Sequence, residues 1–220
     1  VHFAHEKGIV HRDLKPANLM IEGERVYVVD FGMAKQTGAP AAAPTAGTSV
    51  AWGTPEYMSP EQARGDMKQV DRLSDVYSLG ATLYELLTGR PPFMSENRGE
   101  VVVQVLKEDP VPPQKLVRDL PADLETITLK CLEKDKSRRY ASASALADDL
   151  DRYLNHDPIE AHPPSRWYRL RKRIAKRPLQ WGFAAAMVAA IGGGALFGAF
   201  TLIKRNQALR DQLRAEEESR

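Results

Sequence analysis

The chain has 220 residues, 43% of them apolar and 27% charged, and a formal net charge of +2. That length suits one domain or two, and so even a charge balance gives no general argument for nucleic-acid binding. A single cysteine, Cys131, excludes an internal disulfide framework.

From the start, "VHFAHEK" followed by Gly8 has the pattern of a helix end with a glycine stop. These polar, histidine-bearing residues do not resemble a cleavable signal peptide. Short β-type runs follow at Leu19–Ile21 and Val26–Val29, joined by a Glu-Gly-Glu turn, which predicts a small hairpin. From Gln36 to Ser49 the composition shifts to Gly, Ala, Pro, Thr and Ser, a loop that cannot bury a core of its own. "DRLSDVYSLGATLYELLTG" then places Leu73, Val76, Leu79, Leu83 and Leu86 at helical spacing, with Gly89 as the stop. Further apolar residues flank that stripe, so this helix is expected to be buried nearly all round. "GEVVVQVLKED", "ADLETITLKCLEKD" and "ASALADDLDRYL" are three more helical patterns, and Pro110, Pro112, Pro113 and Pro121 punctuate the gap between the first two. Cys131 falls inside the second of them, where a small buried apolar residue is the plainest role. In the last, Leu146, Leu150, Tyr153 and Leu154 mark one face.

Residues 1–154 form the expected globular unit and 155–178 a linker, first proline-rich, then carrying seven basic residues and no acid (Arg166, Arg169, Arg171, Lys172, Arg173, Lys176, Arg177). Residues 179–203 contain no charge. As a helix of about 1.5 Å per residue they span about 37 Å, enough to cross a bilayer core of about 30 Å with some tilt. The basic cluster before this single transmembrane helix places residues 1–178 in the cytoplasm and the C-terminus outside. Nucleic acid is the other partner such a cluster could take, but a position against an apolar span favours the lipid bilayer. Gly194 and Gly198 stand at GxxxG spacing, which would let two copies of the span pair as a homodimer. Residues 204–220 are a charged helical stub.

The chemistry concentrates in "HRDLKPAN" at 11–18. Further on come "DFG" at 30–32, "GTPEYMSPE" at 53–61, "DVYSLG" at 75–80 and "KDKSRR" at 134–139. Together and in this order they resemble the protein-kinase superfamily, specifically the bacterial eukaryotic-like Ser/Thr kinases with one membrane span. The resemblance covers residues 1–154. It implies a mainly α fold, the large C-terminal lobe of a kinase with a small β-hairpin region, followed by the membrane helix. It also implies transfer of the γ-phosphate of ATP to Ser or Thr hydroxyls of proteins.

In that family Asp13 matches the catalytic base, a carboxylate suited to orient and deprotonate a hydroxyl. Asn18 and Asp30 match the magnesium ligands, as oxygen donors suited to a hard cation. Lys15 would reach the transferred phosphate, and "DLKP" resembles the Ser/Thr branch rather than the tyrosine one. Met20 would lie under the adenine, although core packing is its ordinary role. Arg12 would pair with a phosphate on the segment from Met33 to Trp52, for which Thr45, Thr48 and Ser49 are candidates and otherwise plain linker hydroxyls. Thr54 would seat substrate near Asp13 and Lys15. His11 and Phe31 resemble a packed column, Glu61 a partner of Arg139, and Asp75 the anchor of the loop backbone. Ser59 and Lys136 depart mildly from the family pattern, which has Ala and Pro there. His2 and His5, in "HFAHE", match no metal-binding pattern.

The family's Gly-rich loop, strand lysine and partner glutamate are not found in these residues. The chain on its own is therefore expected to bind ATP weakly and to turn over little. A rival reading is a non-catalytic, membrane-anchored interaction or dominant-negative module. Intact Asp13, Asn18 and Asp30 weigh against it.

Overall fold

The computed structural model describes residues 1–31, 35–36, 54–161, 187 and 204. Helix α1 (His2–Glu6) ends at Lys7 and turns through Gly8, whose φ of 72° favours glycine. Strand β1 (Ile9–Val10) pairs antiparallel with β4 (Lys35–Gln36). A 3-10 turn at Pro16–Asn18, with proline at its start, leads into β2 (Leu19–Glu22), which pairs antiparallel with β3 (Arg25–Val28) from Leu19↔Val28 to Glu22↔Arg25. Gly23, at φ 60°, opens the connection between them. The hairpin is apolar yet exposed: Met20, Ile21, Val26 and Tyr27 all face outward.

The other elements of the described residues are mainly helices. Helix α2 (Pro60–Ala63) is capped by Ser59, α4 (Arg98–Lys107) by Asn97 and α7 (Ala143–Leu154) by Ser142. The central helix α3 (Arg72–Thr88) starts with a reciprocal cap between Asp71 and Ser74 and stops at Gly89, at φ 75°. A short α5 (Pro113–Leu116) sits among the prolines that separate α4 from α6 (Ala122–Cys131). Tyr77, Ala81, Tyr84 and Leu132 form one core cluster, and Phe93, Val101 and Val105 another. Val101 and Val105 are fully buried, each contributing about 1.5–3 kcal/mol of apolar transfer.

Helix α3 is buried nearly all round, as expected, with Arg72 at its start and Leu86 of the apolar stripe exposed. Leu86 is 68% exposed, whereas Ser74, Asp75, Ser78 and Thr82 are buried. Hydroxyls can line this interior because they return hydrogen bonds to the preceding turn. Ser78 Oγ donates to Ser74 O at 3.2 Å and Thr82 Oγ1 to Ser78 O at 2.9 Å. In α7 likewise, Leu154 is exposed and Asp149 buried. The Asp149 carboxylate accepts Tyr140 Oη at 2.8 Å and the backbone N–H groups of Glu160 and Ala161 at 2.7 and 2.8 Å. The first residues of the proline-rich segment, 155–161, are thereby held against α7, with Ile159 buried.

Helices α3 and α6 cross closely at Gly80. A methyl group there would lie 2.3 Å from Cys131 Cβ, closer than real carbon atoms approach. Gly80→Ala is therefore expected to lower stability by about 1–3 kcal/mol, although alanine is the better helix former. Cys131→Ala should not rescue it, because that Cβ remains. Urea midpoints of the single and double variants check this.

Among the described residues no helix is long and apolar enough to cross a membrane. The span read at 179–203, including Gly194 and Gly198, lies outside the described residues except for Met187, as do Thr45, Thr48, Ser49 and the basic stretch 166–177.

Candidate active site

The loop that follows β1 has a demanding backbone. Arg12 sits at φ 72°, a left-handed conformation that costs a non-glycine residue about 1–3 kcal/mol unless its surroundings hold it. The fully buried Asp75, in the first turn of α3, holds it. Asp75 Oδ2 accepts His11 N and Oδ1 accepts Arg12 N, both at 2.8 Å. His5 Nε2 meets Asp75 Oδ2 at 2.8 Å. On the opposite side Gln62 Nε2 donates to Arg12 O at 2.7 Å.

Asp13 follows this pinned residue. Its N–H donates to His11 Nδ1 at 3.3 Å, and His11 Nε2 lies 3.1 Å from Val29 O. Those partners assign the ring proton to Nε2. His11 is buried, and its ring packs at a tilt on Phe31, with centroids 4.6 Å apart. Phe31 itself is 43% exposed. One carboxylate oxygen of Asp13, Oδ2, accepts Lys15 Nζ at 2.8 Å and Asn18 Nδ2 at 3.3 Å. Asn18 Nδ2 also donates to Asp13 O at 2.7 Å, and Lys15 Nζ continues to Thr54 Oγ1 at 3.0 Å. Asp13, Lys15, Asn18 and Thr54 thus form one connected group. Among the described residues, no bond to the second oxygen of Asp13 accompanies these.

Val29 N donates to Asn18 O at 3.0 Å, which brings the end of the hairpin, and with it Asp30 at φ 63°, beside the loop. Among the described residues no three His, Cys, Asp or Glu side chains gather to hold a metal. The donor set nevertheless suits magnesium, which binds through one or two protein oxygens and keeps its remaining positions for water and phosphate. With Asn18 Nδ2 committed to Asp13, the amide oxygen of Asn18 is the end that could face a cation, and Asp30 would add a carboxylate oxygen at the end of the hairpin. Met20 is 59% exposed on the hairpin.

Arg12 is half-buried. Burial pulls its guanidinium pKa down, against the opposing charge of Asp75, and its Nε is buried with no hydrogen-bond partner among the described residues. Glu61 and Arg139 meet as a buried pair, Nη1 to Oε1 at 2.9 Å and Nη2 to Oε2 at 3.0 Å. Lys136 bonds Asp71 Oδ2 at 2.8 Å, so the residue in the place of the family's proline ties its turn to the cap of α3. Tyr57 Oη donates to the Glu85 carboxylate.

Two residues at this site were not singled out as functional from the sequence. His5 reads as an ordinary helix-end histidine and instead braces Asp75. Gln62 carries a visible signal, since Ser59-Pro60-Glu61-Gln62 is the S-x-x-Q form of a reciprocal helix cap. Nothing in that pattern points to Arg12.

Residues 1–150 match the protein kinase domain. The chain is 46% identical over 162 residues to the serine/threonine-protein kinase PknB of Mycobacterium tuberculosis, covering 73% of this chain and 25% of that protein. It is 44% identical over 154 residues to the probable serine/threonine-protein kinase PknB of Bifidobacterium longum, covering 70% of this chain and 22% of that one. Against the probable serine/threonine-protein kinase SCO3848 of Streptomyces coelicolor the identity is 42% over 160 residues, 72% of this chain and 23% of the relative. The chain spans about a quarter of the length of these curated relatives. With the family match extending over residues 1–150 and an aspartate, lysine and asparagine gathered on one loop, the chain belongs to the protein kinase domain family, in its bacterial Ser/Thr branch.

Proposed function

We propose that these residues are the C-terminal lobe of a membrane-anchored Ser/Thr protein kinase that transfers the γ-phosphate of ATP to Ser or Thr hydroxyls of proteins. The observation that carries this reading is the asymmetry of Asp13. Lys15 and Asn18 occupy one of its oxygens, and the other remains to accept the proton of an incoming hydroxyl. Lys15 places a positive charge beside the transferred phosphate and fixes Asp13 at the same time. Asn18 and Asp30 would hold magnesium, which when bound with ATP supplies neutralisation of the phosphate charge. Met20 would lie against the adenine, and Thr54 would seat the substrate segment through Lys15. The Nε of Arg12, without a hydrogen-bond partner among the described residues, supports a regulatory role, in which a phosphate on Thr45, Thr48 or Ser49 pairs with this guanidinium. Residues 179–203 would anchor the protein, with the kinase domain on the cytoplasmic side.

The test uses the full-length protein, recovered with membranes and incubated with γ-labelled ATP, magnesium and a mixed protein substrate. Label is expected on phosphoserine and phosphothreonine and is expected to vanish on chelation. Label confined to tyrosine, or transfer indifferent to chelation, would overturn the proposal.

A further inference from the structure

Gln62 spends its two amide ends on different parts of the molecule. Its Oε1 accepts Ser59 N at 3.1 Å and Ser59 Oγ at 3.0 Å, closing the cap of α2. Its Nε2 donates at 2.7 Å to Arg12 O, 50 positions away. The orientation is forced. Ser59 N can only donate and Arg12 O can only accept, so exchanging the amide ends would set donor on donor and acceptor on acceptor.

Arg12 O belongs to the planar peptide group whose nitrogen is that of Asp13. Gln62 therefore grips the oxygen of that plane, while His11 Nδ1 takes its N–H at 3.3 Å. The preceding peptide plane is held at Arg12 N by Asp75 at 2.8 Å. Between the two planes lies the φ of 72° at Arg12, a torsion that relaxes if either side lets go. The segment 54–63 also meets the loop on the far side of Asp13, where Thr54 Oγ1 takes Lys15 Nζ at 3.0 Å.

We infer that Gln62 is a positioning residue for the catalytic aspartate: it sets the direction in which Asp13 leaves the strained Arg12, and makes that direction depend on the docking of segment 54–63. This rests on the reading of Asp13 as the base.

Gln62→Glu separates the two tasks. Glutamate at this position completes a reciprocal cap as glutamine does, but an ionised carboxylate cannot donate to Arg12 O. In the full-length protein at pH 8, kcat is expected to fall about 10–100-fold, the scale of a small misplacement of a reacting group. The KM for ATP and the thermal midpoint should stay near those of the parent. A protonated carboxyl can donate again, so the ratio of variant to parent kcat is expected to rise as the pH is lowered towards 5, nearing the ordinary glutamate range of about 4.3. The ionisable groups of the packed elements are His11, Arg12, Asp13 and Lys15 of the loop, Glu56 and Glu61 of segment 54–63, and His5 and Asp75 behind it. They are common to parent and variant and cancel in that ratio. Gln62→Leu has no proton to regain and should show a flat ratio. A parent-like kcat for Gln62→Glu at pH 8, or a deficit as flat with pH as that of Gln62→Leu, would overturn the inference. Asp13→Asn, assayed alongside, keeps the two levels apart. If that variant is inactive while Gln62→Glu is parent-like, only the role of Gln62 falls. If Asp13→Asn is itself parent-like, the reading of the base falls.

Discussion

Asp13→Asn in the full-length protein is expected to lower kcat by about 10²–10⁴-fold, the range for losing a general base, with little change in ATP affinity. The change is nearly isosteric, so the loss comes from hydrogen-bond polarity. Lys15 Nζ and Asn18 Nδ2 both point donors at Oδ2. The single carbonyl oxygen of an asparagine would have to turn towards them, leaving its NH₂ facing the substrate hydroxyl. Turned the other way, the NH₂ would face the lysine ammonium. That second rotamer would put the amide oxygen at the hydroxyl, but only with donor set against donor, and an amide oxygen is too weak a base to take the proton. The fold should tolerate the change. The Lys15 and Asp13 side chains retain 22% and 11% exposure, and a partly solvated pair of this kind contributes about 1 kcal/mol or less. Initial rates across ATP concentration, with a thermal melt of the same preparation, separate the two effects. Parent-like turnover would remove Asp13 from the role of base.

The parts of this site that could be found from the sequence are those in which one residue type has one chemical use. Asp13, Asn18 and Asp30 stand in short motifs that resemble those of the protein kinases, and the hairpin follows from two apolar runs about a Gly turn. What stayed hidden depends on what a polar side chain does with its second hydrogen bond. Helix α3 is buried nearly all round, as its apolar content predicts, but periodicity does not show how its polar members are satisfied there: Thr82 Oγ1 bonds back to its own helix, Ser78 Oγ lies within reach of Ser74 O and Tyr57 O, and Leu86, at the end of the apolar stripe, is exposed. Asp149 reads as a solvated charge in "ALADDLD", yet it gathers Tyr140 and two backbone N–H groups and so folds residues 155–161, linker-like in composition, onto α7. Helix α5 hides among prolines because proline breaks a helix interior but is tolerated in its first turn. Gln62 could be suspected as a cap, but its bond to Arg12 spans two distant elements that no local pattern connects.

The same α3 that anchors the loop through Asp75 is itself fixed by the pair of Glu61 and Arg139, and breaking that pair is expected to have the largest effect on stability. All the N–H groups of Arg139 are engaged. Besides its two bonds to Glu61, Nε donates to Glu133 O at 2.8 Å, Nη1 to Leu73 O at 3.0 Å and Nη2 to Lys134 O at 3.3 Å. The guanidinium also lies 5.0 Å from the centre of the Tyr77 ring, and Ser74 Oγ donates to Glu61 Oε1 at 2.6 Å. Arg139→Met would leave the Glu61 carboxylate buried without its cation, at a cost of about 3–5 kcal/mol. For a domain of this size that is a fall of about 6–20 °C in thermal midpoint. Adding Glu61→Leu should recover part of the loss, because the damage lies in the abandoned charge, and the double variant should therefore be far from additive. The pH dependence has a definite sign. Burial raises the Glu61 pKa, but the hydrogen bond and charge of Arg139, with Ser74, outweigh it, and the folded value lies below the ordinary 4.5. The pair's contribution is thus complete above pH 4.5 and is lost as the pH falls through the lower folded value. Below pH 4.5 the parent should lose stability more steeply than the double variant, which has no carboxylate there to protonate. Parallel acid profiles for the two proteins, or additive losses in the cycle, would mean that Glu61 and Arg139 stabilise the domain through packing alone.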